Sequence, residues 1–254
     1  MRHPVQKMFS IVLFILFRLP IANAQQQHQS HPAWDYGDSR GPSHWGELGP
    51  AFVACKDGHH QSPIDIRNPQ DADLPAIHFD YKQSPLHIID NGHTIMVNYG
   101  PGSFMFVGND RYELKQFHFH RPSEEKIEGK TYDMVVHLVH ADEQGNLAVV
   151  AVLLEQGPAN ALVDELWNDL PKKKEKEELR DVEIDVASLL PEDRHYYSFS
   201  GSLTTPPCTE NVRWFVLKQP VTVSPREVER FSKIYRNDAR PTQPLHDRVV
   251  LENR

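Results

Sequence analysis

The stretch Gln116-Phe117-His118-Phe119-His120 alternates between aromatic and polar side chains. Successive side chains of a β-strand point to opposite faces, so this period of two predicts a strand. In such a strand Phe117 and Phe119 face a hydrophobic core, while His118 and His120 share the other face. Two imidazoles on one face of a rigid strand supply two corners of a metal site. Gln116 shares that face and could accept a hydrogen bond from one imidazole.

A third ligand for such a site is available in residues 134–140, an apolar stretch that also predicts a strand. It contains His137 and His140, which lie three residues apart and therefore face opposite ways, so neither parity nor spacing selects one. Three histidines without a nearby cysteine suit zinc with an open fourth position. Water bound there has its pKa lowered from about 16 to about 7. A His-x-His pair alone is more often a core or surface pair, so the pattern by itself leaves the site undecided.

The sequence around these two stretches is also rich in β signals. Residues 147–154 form an apolar run typical of a buried strand, and residues 212–217 predict another strand. The Asn91-Gly92 pair within residues 88–99 predicts a tight turn between two strands. Most of the regular structure should therefore be β.

Helices are predicted to be few and short. Residues 160–170 have apolar side chains at helical spacing, and residues 225–234 predict a short helix with Pro225 in its first turn. Residues 172–179 are a mixed-charge run, which is most often a solvated face. The predicted fold is α+β and predominantly β: a large, twisted, mainly antiparallel central sheet with short peripheral helices.

The first 24 residues differ from the rest and predict a secretory signal peptide. They combine a basic start, an apolar run at residues 8–17, and Ala22 and Ala24 at the positions that a signal peptidase recognises. The apolar run is shorter than the roughly 20 residues that cross a bilayer, which disfavours the alternative of a membrane anchor.

Residues 25–33 are polar and predict a flexible tail of the mature chain. Its His28 and His31 could bind stray metal, although a solvated tail is the simpler interpretation. No linker or repeat divides the sequence after this tail, so residues 34–254 are predicted to form a single domain.

Charge and cysteine content restrict the class of protein. The 254 residues include 27 basic and 35 acidic side chains, which gives a net charge of −8. Removing residues 1–24 would leave about −11, which argues against nucleic acid or an anionic membrane as a partner. Two thiols in an exported chain, Cys55 and Cys208, usually form one disulfide, with two separate buried thiols as the alternative.

Several short motifs occur together, in a fixed order, over roughly residues 34–250. They are WDYG at 34–37, GPSHW at 41–45, QSPIDI at 61–66, NGH at 91–93, QFHFH at 116–120, HLVH at 137–140, GSLTTPP at 201–207 and RPTQPL at 240–245. In this combination the sequence resembles the α-carbonic anhydrase family. The resemblance implies that family's fold, zinc as the cofactor, and reversible hydration of carbon dioxide to bicarbonate and a proton by zinc-bound hydroxide.

The resemblance also implies roles for individual residues. The zinc ligands would be His118, His120 and His137. Thr204 would accept a hydrogen bond from zinc-bound hydroxide and donate one to Glu124, which would orient the attacking oxygen.

Proton transfer and substrate contacts are implied in the same way. His93 would carry protons between the metal-bound water and buffer, Tyr36 would order cavity water, and Thr205 would contact the substrate. An apolar wall for carbon dioxide is implied for five residues, each of which could instead be plain core. These are Val139, Val149, Leu203, Val212 and Trp214. Cys55 and Cys208 fall where secreted and bacterial members of the family have a disulfide.

Three positions depart from the family pattern. The family usually has a glutamate two residues before the third ligand, where this chain has Val135. We therefore expect a backbone carbonyl or water to accept the second N–H of His137, and zinc to be held less firmly. Glu125 stands where the family often has a histidine. Met96 replaces a polar residue of many members and should make the cavity drier near His93.

Two other functions are compatible with the same residues. One is a zinc esterase, although no pocket for a larger acyl group is evident. The other is a non-catalytic binding module, which the three intact ligands disfavour. For the enzyme we expect only carbon dioxide and bicarbonate as partners, no membrane association after signal cleavage, a monomer or homodimer, and secretion, with a bacterial periplasm as the best assignment.

Overall fold

The structure is a computed structural model that describes residues 33–171 and 176–253, with only the backbone described for residues 176–181. The predicted signal peptide at residues 1–24, and residues 25–32 of the predicted tail, lie outside the described part. Within that part, no helix is both long enough and apolar enough to cross a bilayer.

The described residues form sixteen strands, three α-helices and three 3-10 helices. The strands are β1 (Asp65–Ile66), β2 (Gln70–Asp71), β3 (Ile77–Asp80), β4 (Ser84–Asp90), β5 (Ile95–Asn98), β6 (Phe104–Val107), β7 (Asp110–His120), β8 (Lys126–Ile127), β9 (Lys130–Thr131), β10 (Met134–Ala141), β11 (Leu147–Gln156), β12 (Lys176–Ile184), β13 (Tyr196–Ser202), β14 (Glu210–Leu217), β15 (Val221–Val223) and β16 (Leu251–Glu252). The α-helices are α1 (Ala54–Asp57), α2 (Ala161–Asn168) and α3 (Pro225–Ser232), and the 3-10 helices are Trp45–Glu47, Pro50–Phe52 and Val186–Leu189.

Thirteen of these strands form one sheet whose main path runs β12-β4-β5-β7-β10-β11-β14-β13-β16-β2. Most neighbours are antiparallel, and the parallel pairs are β11 with β14, β11 with β15, and β16 with β2. The small sheet β1-β8-β9 lies apart from this path. The prediction of a large, mainly antiparallel sheet with few short helices is confirmed.

One face of the central sheet carries the main hydrophobic core. Phe117 and Phe119 of β7 are fully buried there, and Phe119 contacts the ring of Trp167 on α2. Each fully buried phenylalanine stabilises the fold by about 1.5–3 kcal/mol. Burial of these two rings holds β7 with its histidines on the opposite face.

The two longer helices begin within one residue of their predicted starts, at Ala161 and Pro225, and end two residues before the predicted ends, at Asn168 and Ser232. The Asn160 side chain accepts from the first backbone N–H groups of α2, and Ser224 forms a capping box with Glu227 at the start of α3. The Trp167 indole donates to the Glu227 carbonyl at 3.0 Å, which joins the two helices.

In the mixed-charge run at residues 172–179, residues 172–175 lie outside the described part and residues 176–179 form a strand rather than a merely solvated segment. Residues Lys176–Ile184 form β12, which pairs with β4 at one end of the sheet. An edge strand tolerates charged residues, and these protect it from pairing with other chains. The mixed charges of this run therefore led to the prediction of a solvated face where the chain forms a strand.

A disulfide joins Cys55 of α1 to Cys208 in the loop after β13, with 5.0 Å between the two Cα atoms. The Cys208 N–H donates to the Thr205 carbonyl at 2.8 Å, and Gln61 donates to the Cys208 carbonyl at 3.0 Å. The crosslink therefore also holds the Thr204-Thr205 loop.

Removing this crosslink should cost much of the stability of the fold. The paired cysteines are 153 residues apart, for which loop-closure entropy predicts about 5 kcal/mol. We expect the double variant Cys55→Ser/Cys208→Ser to unfold at a much lower urea concentration than the oxidised protein. A reductant should shift the wild-type midpoint toward that of the variant and leave the variant unchanged. Equal midpoints for the oxidised protein and the variant would contradict this.

Candidate metal centre and cavity

Three imidazoles meet where β7 and β10 lie side by side. The antiparallel register sets His118 opposite His137, and His120 follows two residues further along the same face of β7. One nitrogen from each ring lies within 4.8 Å of the others. Tetrahedral zinc places its ligating nitrogens about 3.3 Å apart, so small side-chain shifts suffice for these three to share one ion.

Each of the three rings has one nitrogen held by a neighbouring acceptor. His118 Nδ1 lies 2.8 Å from Gln116 Oε1, and His120 Nδ1 lies 2.8 Å from the Asp238 carbonyl oxygen. His137 Nε2 lies 3.1 Å from Glu125 Oε2. The second nitrogen of each ring is thereby turned toward the other two, as metal-binding histidines require.

The chemical state of these rings also suits a metal. Burial lowers the pKa of His118 and of His137 well below the usual value, and the neighbouring imidazole of His120 lowers both further. Neutral imidazole is the form that binds a metal ion. Within the described part of the chain, the buried His120 Nε2 has no hydrogen-bond partner, which fits a metal-ligating atom.

His140, the alternative third ligand, lies on the other face of β10. Its Nε2 is 2.7 Å from the Tyr81 hydroxyl, and burial lowers its pKa to about 4. It is therefore a neutral core histidine with its own partner. The structure groups His137 with His118 and His120, and leaves His140 out of that group.

Glu124 lies beside the two more deeply buried histidines. Its Oε2 is 3.6 Å from His120 Nε2 and 3.9 Å from His137 Nδ1, and its Oε1 accepts from the Arg240 N–H at 2.7 Å. Burial and then the charge of Glu125 raise the pKa of Glu124 well above its usual value, whereas a hydrogen bond from Thr204 lowers it. Thr204 and Glu124 are therefore in contact, next to the histidine cluster.

The acceptor for His137 differs from the one expected. Val135 offers no carboxylate, and the sequence pointed to a backbone carbonyl or water in its place. The carboxylate of Glu125 takes that position, 3.1 Å from Nε2. Glu125 lies twelve residues before His137 and belongs to another segment, so strand parity could not reveal it.

A cavity of about 120 Å³ adjoins the histidines. It is lined by Trp34, Tyr36, Asn91, His93, Thr94, Met96, Gln116, His118, His120 and Thr205. Its wall therefore contains two of the clustered histidines and five further residues that the sequence analysis placed at the site, namely Tyr36, His93, Met96, Gln116 and Thr205.

The turn before β5 holds His93 at the cavity wall. The Asn91 side-chain oxygen accepts from the backbone N–H groups of His93 and Thr94, both at 2.9 Å. The His93 ring stacks on the Trp34 indole, with 3.6 Å between centroids and an interplanar angle of 7°. Tyr36 is also at this wall, and its buried hydroxyl has no hydrogen-bond partner among the described residues.

The five residues expected to form an apolar wall belong to one hydrophobic cluster. They are Val139, Val149, Leu203, Val212 and Trp214. The Trp214 ring lies 5.0 Å from that of His137, so this cluster borders the histidine site. Val135 is part of the same cluster.

Besides the role of Glu125, sequence analysis missed three contributors to the site. The Arg240 guanidinium is buried and donates to Gln61, Ser62 and Cys55, while its backbone N–H reaches Glu124. Arg240 is the first residue of the RPTQPL motif at 240–245, so the motif could have drawn attention to this arginine. Asp238 contributes a backbone carbonyl, which no side-chain pattern reports. Trp34 was noted only as part of a motif.

Comparison with known proteins was consistent with these observations. The family model for eukaryotic-type carbonic anhydrase matches residues 40–254. A carbonic anhydrase of Nostoc sp. is 42% identical over 228 residues, covering 86% of this chain and 85% of the relative. One from Neisseria gonorrhoeae is 43% identical over 227 residues, covering 89% and 90%. The structure of the Photobacterium profundum α-carbonic anhydrase has a TM-score of 0.82 at 43% identity, covering 87% of this chain and all of that one.

Substituting the two histidines of β10 separately should distinguish their roles. We expect His137→Gln to reduce zinc binding by orders of magnitude, because only two imidazoles of the cluster remain. His140→Gln should retain one zinc per chain, since residue 140 faces Tyr81 on the other side of the strand. Zinc content after dialysis, measured by mass spectrometry, tests both. Zinc loss from His140→Gln, or retention by His137→Gln, would be the opposite of this expectation.

Proposed function

The chain belongs to the eukaryotic-type carbonic anhydrase family, and from that premise we propose that it hydrates carbon dioxide reversibly with a zinc ion held by His118, His120 and His137. The observation that carries the proposal is the convergence of these three nitrogens beside a small cavity. α-Carbonic anhydrases are zinc enzymes, and a three-histidine set leaves a fourth position open.

Zinc, when bound, lowers the pKa of a water ligand to about 7 and so supplies a nucleophile at neutral pH. The protein orients the reacting groups. We assign the Thr204 hydroxyl as a donor to the Glu124 carboxylate, because a hydrogen bond from Thr204 lowers the pKa of Glu124. The lone pairs of the Thr204 oxygen would then accept a hydrogen bond from the nucleophile. Glu124 is itself held by the Arg240 N–H at 2.7 Å, which fixes the direction of the relay.

The substrate is a small, uncharged molecule, and the site has matching dimensions. Trp214 lies next to His137 and packs in one apolar cluster with Val139, Val149, Leu203 and Val212. None of these five residues is among those that line the cavity, whereas Thr205 is. A cavity of about 120 Å³ is large enough for carbon dioxide. Measuring carbon dioxide hydration and activated-ester hydrolysis on one sample separates these two activities.

The proton produced must reach buffer, and His93 has the position and chemistry to carry it. Its ring is at the cavity wall with Tyr36, and imidazole is the side chain best suited to accept and release protons near neutral pH. The Asn91 turn and the Trp34 stack define one resting position for this ring.

We further propose that the enzyme acts outside the cytoplasm, in a bacterial periplasm, as a monomer or homodimer. Support comes from the signal-like sequence of residues 1–24, from the disulfide, and from the bacterial relatives. Disulfides persist in oxidising compartments.

Replacing Thr204 tests the orienting role directly. We expect Thr204→Ala to lower the rate of carbon dioxide hydration by about 100-fold, because a misdirected nucleophile costs that much, while zinc content stays at one per chain. Thr204→Ser keeps the hydroxyl and should retain most of the rate. Stopped-flow hydration measures all three proteins. Unchanged turnover in Thr204→Ala would refute the role.

Replacing His93 tests the proton path. We expect His93→Ala to slow turnover in weak buffer by about one to two orders of magnitude, since proton release then lacks a positioned base. Imidazole-type buffers should restore the rate. His78→Ala, at an exposed position of β3, is the matched control and should behave as wild type. An absence of buffer dependence in His93→Ala would exclude it as the shuttle.

A further inference from the structure

We propose that Glu125 is the positioning residue of His137, so that the carboxylate missing at position 135 is supplied by a different segment of the chain. The inference rests on the proposed zinc site and identifies a residue on which the zinc affinity of that site depends. Of the three clustered imidazoles, His137 is the one whose outward nitrogen lies within hydrogen-bond distance of a carboxylate.

The contact between Glu125 and His137 has the distance of a hydrogen bond and is buried. His137 Nε2 and Glu125 Oε2 are 3.1 Å apart, and both side chains are almost completely shielded from solvent. Among the described residues, Glu125 Oε1 has no hydrogen-bond partner. The imidazole of His137 is therefore the side chain that this carboxylate contacts within hydrogen-bond distance. An unpaired buried carboxylate would be costly, so this bond accounts for a glutamate at a fully buried position.

The backbone around Glu125 is pinned on both sides, which fixes where its carboxylate can reach. The Ser123 hydroxyl donates to the Glu125 carbonyl at 2.9 Å and accepts from the Tyr132 N–H at 2.9 Å. On the other side, the Lys126 N–H donates to the Ile64 carbonyl at 3.2 Å. The segment between β7 and β8 is thus anchored to the residue that precedes β1 and to the link between β9 and β10.

The two adjacent glutamates have different tasks. Glu124 Oε1 accepts from the Arg240 N–H, and Glu124 Oε2 is turned toward the nitrogens of His120 and His137 that face the cluster. Glu125 contacts His137 on its opposite, outward nitrogen. One carboxylate therefore belongs to the reacting side of the site, and the other supports a ligand from behind.

Position 135 explains why the carboxylate had to come from elsewhere. Val135 lies two residues before His137 on the same face of β10 and is fully buried in the apolar cluster that includes Ile64 and Leu153. From that position an acidic side chain would also approach the His137 ring. The chain has an apolar residue there and an acidic one at position 125. Positions 125 and 135 both lie beside the His137 imidazole. Moving the carboxylate from position 125 to position 135 therefore tests directly whether His137 needs a carboxylate partner.

The expected consequence is in metal affinity. A carboxylate acceptor fixes the ring orientation, keeps the proton on Nε2 and makes Nδ1 a stronger ligand; losing such a partner typically weakens metal binding by about 10- to 100-fold. We therefore expect Glu125→Gln to bind zinc about 10- to 100-fold more weakly than wild type, and to release it faster to a chelator. Glu125→Gln/Val135→Glu should recover much of the affinity.

The experiment is a zinc competition titration on purified, metal-depleted protein with a chromogenic chelator, with thermal unfolding of each metal-free variant recorded alongside. Glu227→Gln is the matched control, because Glu227 is also a buried glutamate with backbone partners, at the start of α3 and outside the zinc site. It should lose stability and retain wild-type zinc affinity. Glu125→Asp, which shortens the side chain by one methylene, is the second variant and should also bind zinc weakly.

The outcomes distinguish the proposed role of Glu125 from the proposed zinc-dependent function. Weak zinc binding by both Glu125 variants, with recovery on relocating the carboxylate and normal affinity in Glu227→Gln, supports the inference. Wild-type affinity in Glu125→Gln or Glu125→Asp overturns the inference and leaves the zinc site intact. If Glu125→Gln does not fold, the Glu125→Asp affinity decides. Wild-type protein that binds no zinc refutes the proposed function itself, and the inference with it.

Discussion

The register between β7 and β10 is the constraint on which the proposed function depends. It sets His118 opposite His137, with His120 on the same face. A slip of one residue would turn the histidines of one strand to the other face and separate the three nitrogens. The register is fixed from behind by hydrophobic packing, because Phe117 and Phe119 alternate with the histidines and fill the main core. Core packing and metal geometry are thus two consequences of one alternating pattern.

Around this cluster the protein buries more acid than an ordinary core contains. Glu124, Glu125 and Asp238 are all buried beside the three imidazoles. Such groups are unfavourable in a low-dielectric interior unless each has partners. Backbone N–H groups of Arg240 and Arg121 bind Glu124 and Asp238, and His137 binds Glu125. A divalent cation among the imidazoles would offset much of the remaining cost by its charge. The site is therefore organised for a cation before one is bound.

The sequence predicts the parts of this protein that follow from local periodicity. Alternation located β7 and its two histidines, and the apolar run at β11 marked a buried strand. Local periodicity does not determine contacts between segments that are distant in the sequence. Parity could not choose between His137 and His140. The resemblance implied His137, and the structure groups His137 with His118 and His120 while His140 contacts Tyr81. Nor could parity reveal Glu125, whose role depends on how the segment after β7 folds back onto β10. Strand β12 was missed because its charges resemble those of a solvated segment.

The central claim is that one zinc ion is bound by three imidazoles from two neighbouring strands. A crystal of the zinc-loaded protein, with diffraction recorded above and below the zinc absorption edge, tests it most directly. The account predicts one anomalous peak about 2.0–2.1 Å from nitrogens of His118, His120 and His137. A peak bound elsewhere, for example by His140 or by exposed histidines, or no peak at all, would contradict it.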